Sequence, residues 1–484
     1  MCQTSLRHAS PLVLALLALD SYEANARDCW FVTMRTKILI LACLLTLRLN
    51  AAVEESKPDD PFFANYHPLK APVPGAPLLQ KGDRLAICGD SITEQRMYSR
   101  IIEDYLTACT PDMKVSVRQF GWGGERVDGF LKRMTNDCLR FRPTIATTCY
   151  GMNDHGYRPY EDSIGDAYRK NSAAMVGIFK AHGVRLVLGS PSCVGNRSWF
   201  QKGATSDLLN QNLCRLRNID IEIAAQEQVG FADVFWPMLR ASVSAPQRYG
   251  TNYAIPGGDG VHPGWAGHTM MAYAFLKALG VSGEIADFTV DLSANRLTVS
   301  DGHKLLSSKK GEFVVRSARY PFCSGCPLGL AANWYPTAGY DYITNNDNLR
   351  SGMTLVPFNQ DLNRFMLTAK NATAANYRVA WGGETRVFSG EQLARGANLA
   401  AEFTLNPFSR HFALIDAAVS AKQEFETGQI KVLFRPTGDN VTTAQIAEQT
   451  DKVLEATERE HAALENVVRA AYAPVTYILK ITPE

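Results

Sequence analysis

The sequence has almost no excess of charge of one sign. Lys and Arg together number 50 and Asp and Glu number 48, so the formal net charge at pH 7 is only +2 over 484 residues. Chains that bind nucleic acid or an anionic membrane surface usually carry a large positive charge or a basic run. The composition therefore predicts no nucleic-acid partner.

The sequence also lacks an apolar run long enough to cross a bilayer, which requires about 20 residues. The apolar residues 38–47 are too few to span it, so no stable membrane span is expected. They follow a basic start at Met34 and precede the small residues of Ala51-Ala52. That order is typical of a secretory signal peptide.

We therefore expect residues 1–52 to be an export segment, with Met34 as the true start of the protein. In an alternative interpretation, residues 11–19 form the apolar segment and Ala24-Asn25-Ala26 is the cleavage site. Both interpretations predict an exported protein, periplasmic or extracellular.

A second CxxC pair is missing near Cys323-Ser-Gly-Cys326. Structural zinc sites usually combine two such pairs, so a local disulfide or two free thiols is expected there, and no metal. Export permits disulfides, and Cys109 and Cys138 are candidates for one. Cys88 and Cys149 lie in apolar segments and are expected in the core.

The sequence is rich instead in alternating strand and helix patterns between residues 82 and 280. Short apolar segments predict strands at 84–88, 114–120, 144–149, 185–189 and 230–235. Segments of helical period predict helices at 97–108, 127–138, 164–182, 208–228 and 264–279. This alternation predicts an α/β fold whose parallel sheet is covered on both faces, with ligands beyond the carboxyl ends of its strands.

Changes in the sequence pattern divide the rest of the chain into three further regions. Residues 53–80 are rich in Pro and Ala and are predicted to form an extended leader before the α/β domain at 81–282. Residues 283–410 alternate as half-buried antiparallel strands, and 411–484 are predicted to be helical. The polar and aromatic residues 358–365 fit either a carbohydrate-binding face or a packed sheet edge.

Four motifs follow the predicted strands at their carboxyl ends. They are Gly89-Asp-Ser91, the glycine block Gly121-Trp-Gly-Gly124, Gly151-Met-Asn-Asp154 and Asp259-Gly-Val-His262. Acyl transfer needs a nucleophile, a base, an acid that orients the base, and donors for the oxyanion. The four motifs offer all of these groups at one edge of one sheet.

The motifs, in this order, resemble those of the SGNH (GDSL-type) hydrolases over about residues 82–280. The resemblance implies a three-layer α/β/α flavodoxin-like fold and ester hydrolysis without a metal or cofactor. It implies Ser91 as the nucleophile, His262 as the general base and Asp259 as the residue that orients His262. Ser91 as a simple helix cap is the structural alternative.

The same resemblance implies an oxyanion hole made of the Ser91 N–H, the Gly124 N–H and the Asn153 side chain. Where the family commonly has Asn, this chain has Gln119. Gly123 or Gly121 is therefore an alternative donor to Gly124, and Asn153 could instead only shape its turn.

Other residues near the motifs have structural interpretations as well. Asp90 is expected to cap the turn rather than to react, and His155 and His268 are expected to pack. Four aromatic residues could stack on sugar rings or be buried at the base of loops: Trp122, Tyr157, Trp199 and Trp265.

The polar, glycine-rich loops and the lack of a long apolar lid favour a small acyl group. We therefore expect an exported serine esterase that removes acyl groups, acetyl above all, from a carbohydrate or glycan. Its substrate would be an acylated small molecule or a polysaccharide. The alternatives are a lipase or general carboxylesterase, and a non-catalytic glycan-binding protein on the same scaffold.

Overall fold

Five parallel strands form the central sheet. The computed structural model describes residues 53–196, 203–325, 348–435 and 443–484. The strands are β1 (Arg84–Gly89), β2 (Ser116–Gly121), β3 (Ile145–Cys149), β4 (Arg185–Gly189) and β5 (Gly230–Ala232). Their spatial order β2-β1-β3-β4-β5 is that of flavodoxin-like folds and confirms the predicted fold class. In such a sheet the chain reverses direction of winding between β1 and β3, and the crevice at that point is where ligands bind.

Helices cover both faces of this sheet. They are α1 (Ser91–Glu94), α2 (Tyr98–Ala108), α3 (Val127–Asp137), α4 (Asp162–Ala181), α5 (Ser206–Glu227), α6 (Phe235–Tyr249) and α7 (Trp265–Ala278). Leu85 and Ile87 of β1 belong to the core shared with α2 and α7. Ala86 and Cys88 point to the other face and belong to the core shared with α3 and α4. Because both faces are buried, β1 after Arg84 and β4 after Arg185 are apolar along their length.

Helix α6 is absent from the sequence-based prediction. Its sequence contains Pro237 in the first turn and Pro246 in the last one. Proline interrupts a helix in its interior but is tolerated near the first turn, where N–H groups have no partner in the helix. Two prolines within one short segment therefore give the pattern of a loop, although Phe235, Met238 and Leu239 bury an apolar face.

The segment before β1 is mostly extended, and its apolar residues are attached to the α/β domain. Phe63 and Tyr66 are almost fully buried. The Tyr66 hydroxyl donates to Asp207 Oδ1 at 2.7 Å, and the Leu79 N–H donates to the Leu279 carbonyl at 3.0 Å. This segment therefore packs along helices α5 and α7.

Two further sheets follow the α/β domain. Their strands are β6 (Glu284–Asp291), β7 (Arg296–Val299), β8 (His303–Lys309), β9 (Glu312–Ser317), β10 (Arg364–Lys370), β11 (Asn376–Trp381), β12 (Glu384–Ser389), β13 (Ala397–Asn398) and β14 (Val475–Pro483). One sheet has the order β13-β10-β6-β7 and the other β12-β11-β14-β9-β8. The β-rich nature of this region is as predicted.

The prediction that these strands are all antiparallel is wrong for one pair. Strands β6 and β10 pair in parallel, with Phe288 opposite Leu367. Parallel neighbours need a long crossover connection. Here the connection includes α8 (Leu349–Leu355) and α9 (Phe358–Asp361).

Residues 358–365 form part of the core and not a carbohydrate-binding face. Phe358 and Phe365 are fully buried. The Phe365 ring lies 5.1 Å from that of Phe288 and 4.9 Å from that of Trp381, centroid to centroid. The alternative of a packed sheet edge is correct about the packing but wrong about the edge, because Phe358 lies in α9 and β10 lies between β13 and β6.

The last part of the chain joins the two regions. Its helices are α10 (Gly390–Arg395), α11 (Leu399–Glu402), α12 (Ser409–Gly428) and α13 (Thr443–Ala471), with a π-helix at Gln429–Leu433. Helix α12 packs on α2, on β2 and on α13. The chain ends in strand β14, which lies between β11 and β9, although residues 411–484 were expected to be helical.

The cysteines do not follow the expected pairing. Cys138 Sγ lies 3.8 Å from Cys88 Sγ, a contact and not a disulfide, and Cys109 is buried elsewhere in the core. A disulfide between Cys109 and Cys138 is therefore excluded, while Cys88 and Cys149 are buried as predicted. The export segment at 1–52, Trp199 and Cys326 lie outside the described residues.

Candidate active site

Ser91 stands at the turn between strand β1 and helix α1. The Asp90 side chain caps this helix, because its Oδ1 accepts the Ile92 N–H at 3.0 Å. Gly89 permits the tight turn, since a Cβ there would lie 2.0 Å from Thr93 Oγ1. Burial raises the pKa of the Asp90 carboxyl to about 8, although the Ile92 N–H favours its charged form. The expected capping role of Asp90 is confirmed.

A continuous hydrogen-bonded chain links Ser91, His262 and Asp259. Ser91 Oγ lies 2.8 Å from His262 Nε2, and His262 Nδ1 lies 2.6 Å from Asp259 Oδ2. A carboxylate can only accept, so Nδ1 carries the proton and Nε2 is left to accept from the Ser91 hydroxyl. This arrangement can take a proton from Ser91.

The Asp259 carboxylate is held by its own loop. Its Oδ1 accepts the N–H groups of Val261 at 2.9 Å and His262 at 2.8 Å. Burial works against ionisation of Asp259, but these backbone bonds and the His262 imidazole together hold its pKa below the usual value. Gly257 closes the loop at φ +83°, where a Cβ would lie 1.7 Å from the His262 carbonyl oxygen. Asp259 therefore meets His262 charged and correctly oriented.

The glycine block after β2 has three N–H groups that could face an oxyanion. The Gly121 N–H donates to Gln119 Oε1 at 3.0 Å. The Gly123 N–H donates to a carboxylate oxygen of Glu94. The Gly124 N–H has no acceptor among the described residues, and Gly124 adopts a left-handed conformation at φ +72°. Of the three, Gly124 alone keeps its donor for a ligand.

The Asn153 side chain follows strand β3. Its Nδ2 donates to the Glu125 carbonyl at 3.1 Å, and its Oδ1 accepts the Tyr157 hydroxyl at 3.4 Å. An amide nitrogen has two hydrogens, and no acceptor for the second occurs among the described residues. Asn153 therefore carries one oriented N–H that a substrate can use.

Asp154 fixes the loop that carries Asn153. Its carboxylate accepts the N–H groups of Gly151 and of Val127, the first residue of helix α3, each at 3.1 Å. Burial raises the pKa of Asp154 to about 6, and the two backbone bonds oppose that rise. The loops after β2 and β3 are thus joined through one side chain.

Strand register brings three of the four motifs together. Gly89 of β1 is paired with Gly121 of β2 on one side and with Cys149 of β3 on the other. The loops that carry Ser91, Gly124 and Asn153 consequently start side by side at the switch point of the sheet. Gly124 and Asn153 line one open groove of about 760 Å³.

His155 and His268, which flank the sequence motifs, are packing residues, as expected. His155 is fully buried, and its Nδ1 contacts the Met152 carbonyl. Burial lowers the pKa of His155 to about 4 and that of His268 to about 3. His268 Nδ1 accepts the Tyr98 N–H at 3.2 Å, so its Nε2 donates to Gln95 at 3.1 Å. Both imidazoles are neutral parts of the core.

The aromatic candidates for sugar stacking differ in their environments. Trp265 is buried, with the Arg100 guanidinium 5.4 Å from its ring, so the packing alternative holds for it. Trp122 is half-buried and lines the groove, but cationic side chains already contact its ring. The Tyr157 hydroxyl donates to Asn153 Oδ1, and Tyr157 adopts an unusual φ of +53°.

A buried ion pair that the sequence reasoning missed supports the groove. Arg133 donates to both carboxylate oxygens of Glu125, at 2.6 and 2.7 Å, and the Tyr150 hydroxyl donates to the same carboxylate at 2.8 Å. The Glu125 carbonyl in turn holds Asn153. The one signal in the sequence is the position of Glu125 directly after the glycine block.

Contacts from the last part of the chain were also missed. Gln119 Nε2 donates to the Gln423 carbonyl at 3.3 Å, and Lys431 forms an ion pair with Glu94. Gln119, which departs from the family pattern, therefore ties the glycine block to helix α12. No pattern in the sequence indicates these long-range contacts.

Within the described ranges, no group of three or more His, Cys, Asp or Glu side chains is arranged to hold a metal ion. In the same ranges, no helix is long and apolar enough to cross a membrane.

Comparison with known proteins agrees with the geometry. Residues 87–270 match the model of the GDSL-like Lipase/Acylhydrolase family. A gut microbial diltiazem-metabolizing enzyme is similar in structure, with a TM-score of 0.66 and 22% identity over 85% of this chain and 100% of that one. An acetylxylan esterase from Geobacillus stearothermophilus has a TM-score of 0.36 and 20% identity over 42% of this chain and 96% of that one. No curated protein matches the chain.

The fold and the family model define a hydrolase of acyl esters. The domain at residues 87–270 belongs to the GDSL-like (SGNH) family of acylhydrolases, and the protein is an ester hydrolase. The similarity to the diltiazem-metabolizing enzyme shows that the fold extends beyond this domain, because it covers most of the chain.

Proposed function

We propose that the protein hydrolyses esters through Ser91, His262 and Asp259. The observation that carries this proposal is the hydrogen-bonded chain of 2.8 and 2.6 Å that joins the three side chains. His262 Nε2 accepts the Ser91 proton as Oγ attacks the ester carbonyl carbon, and Asp259 stabilises the resulting imidazolium.

The attack places negative charge on the former carbonyl oxygen. The N–H groups of Ser91 and Gly124 and the second N–H of Asn153 stabilise that charge in our proposal. His262 then gives its proton to the departing alkoxide, and the alcohol leaves. Water, deprotonated by His262, attacks the acyl-enzyme and releases the acid and free Ser91.

We further propose that the acyl group is small, acetyl in the first instance, and that the alcohol is a carbohydrate. The polar, glycine-rich loops of the site support the small acyl group. The groove beside Gly124 and Asn153 supports the carbohydrate, because charged and polar side chains line it together with Trp122. A long alkyl chain gains free energy only from apolar surroundings. Hydroxyl-rich alcohols, in contrast, can exchange hydrogen bonds with water for bonds to such side chains.

The protein is also exported in this proposal. The support is the signal-like sequence that begins at Met34 and ends at Ala52. The intact mass of the protein secreted by its host tests it: an N-terminus near Ala52 is expected, or near Ala26 under the alternative cleavage site. Residues 1–33 retained in the mature chain would contradict export by either route.

Covalent labelling tests the nucleophile. A fluorophosphonate probe should label the wild-type protein and leave Ser91→Ala unlabelled, while both melt at a similar temperature. The matched control is Ser244→Ala, because Ser244 is an exposed helical serine outside the site. Release of p-nitrophenol from p-nitrophenyl acetate should disappear with Ser91→Ala. Labelling of Ser91→Ala as strong as that of the control would refute the assignment.

A further inference from the structure

In the groove beside the proposed oxyanion hole, the cationic side chains are more exposed to solvent than the carboxylates that pair with them. Arg126 and Lys132 stand at its rim with 58% and 77% of their side chains exposed. Both pair with the same partner, Asp128, which is only 33% exposed. One carboxylate thus faces two cations, and the surplus is positive.

Two cations from the last part of the chain lie beside Trp122, which lines the groove. Arg435 is 35% exposed and pairs with Asp137, which is fully buried. Lys431 pairs with Glu94. The Arg435 guanidinium lies 4.7 Å from the centre of the Trp122 ring and the Lys431 ammonium 5.2 Å from it. Trp122 therefore holds these two cations at the groove.

A buried ion pair also lines the groove. Arg133 is 8% exposed, and its Glu125 partner is 5% exposed. Of the groove's charged lining residues, four are cationic and two are anionic: Arg126, Lys132, Arg133, Arg435, Glu125 and Asp128. Since the carboxylates are the more deeply buried members of each pair, the surface that a ligand meets is positive. A cleft with such a field attracts anions.

We propose that this groove binds a carboxylate on the alcohol part of the ester substrate, so that the preferred substrate is an acylated acidic saccharide. This proposal rests on the proposed function of the site. The groove measures about 760 Å³, much more than an acetyl group requires, so it is assigned to the larger alcohol part. Guanidinium and ammonium groups at its rim are suited to carboxylate recognition.

A matched pair of substrates tests the proposal by kinetics. An acetylated oligouronide is compared with the same oligomer after its carboxylates have been converted to methyl esters, and release of acetate is measured for both. At low ionic strength, kcat/KM should be about five- to tenfold higher for the acidic oligomer, because exposed ion pairs contribute modestly. The preference should shrink as salt is added.

The double variant Arg126→Gln/Lys132→Gln should remove most of this preference. Its control carries the same change of charge at exposed residues outside the α/β domain, in helix α10 and strand β14: Arg395→Gln/Lys480→Gln. The control should keep the wild-type ratio of the two kcat/KM values. A wild-type enzyme without preference for the acidic oligomer would overturn the proposal, as would an equal change in both double variants.

A binding measurement separates this proposal from the proposed function. Calorimetric titration of the Ser91→Ala protein with the two oligomers does not depend on turnover. Tighter binding of the acidic oligomer supports the groove proposal even if wild-type protein releases no acetate from any ester, a result that would refute only the proposed function. Equal binding of the two oligomers refutes the groove proposal.

Discussion

Glu94 and Lys431 form an ion pair between the helix that begins with Ser91 and the π-helix that follows α12. One oxygen of the Glu94 carboxylate faces Lys431, and the other accepts the Gly123 N–H. The glycine block is therefore held on one side by Glu94, which leaves the Gly124 N–H for a ligand. A residue far outside the acylhydrolase domain thus contacts the site.

Glu94 should accordingly act as a positioning residue for the oxyanion hole. Glu94→Ala should lower kcat about tenfold with little change in KM, because a displaced Gly124 N–H weakens mainly the transition state. Glu94→Gln keeps an acceptor for the Gly123 N–H and should recover much of the loss. The control is Glu448→Ala, which breaks an exposed pair with Lys452. A purely structural role predicts a lower melting temperature at an unchanged kcat.

Asn153 should matter more, because its amide faces the oxyanion directly in our proposal. Loss of one such donor typically costs on the order of 100–1000-fold in kcat. Asn153→Ala should therefore lower kcat by about that factor with KM nearly unchanged, and Asn153→Asp should be at least as harmful because its carboxylate repels the oxyanion. If Asn153 only shapes the turn, stability falls instead, and kcat of the folded fraction stays near wild type.

Asp90 should make the stability of the protein depend on pH. Burial raises its pKa to about 8 in the folded state, against about 3.9 in an unfolded chain. Between these values the unfolded state releases the proton and the folded state keeps it, so this contribution to stability is full below about pH 4 and is lost as pH rises towards about 8. The slope is at most ~1.4 kcal/mol per pH unit.

Asp90→Asn keeps the oxygen that caps the Ile92 N–H but does not titrate. Relative to wild type, its free energy of unfolding should rise steadily from pH 4 to pH 8 in urea melts. The difference in the free energy of unfolding between the two proteins at pH 4 is the internal reference, since the wild-type carboxyl of the folded protein is then largely protonated. A difference that stays constant with pH would show that Asp90 is ionised throughout this range in the folded protein.

The length of the acyl chain should limit turnover. Rates with p-nitrophenyl esters should fall from acetyl to butanoyl to octanoyl, because the polar, glycine-rich loops that carry the site offer a long chain little apolar surface. The rates are compared at concentrations below the micelle threshold of the octanoyl ester. Faster turnover of the octanoyl ester would favour the lipase alternative.

Local parts of the fold could be predicted from the sequence. The strands and helices of the parallel sheet follow from apolar periodicity, since residues next to each other in sequence decide it. The pairing of Asp259 with His262 follows in the same way, because three residues of one loop are enough to bring the carboxylate to Nδ1. Helix α6 was missed because two prolines in one short segment are typical of a loop. Its apolar face becomes evident only from its packing against the rest of the core.

The sequence by itself thus determined the α/β core, the order of its motifs and the chemistry that Ser91, Asn153 and His262 can offer. Tertiary structure alone decided which glycine keeps a free N–H, because that depends on Glu94 and Gln119 as competing acceptors. It also decided that β14 inserts between β11 and β9. Lys431, which holds Glu94, lies 337 positions from it, and Val475 of β14 pairs with the distant Ser317 of β9. The free energy of packing selects such contacts, and no local sequence pattern predicts them.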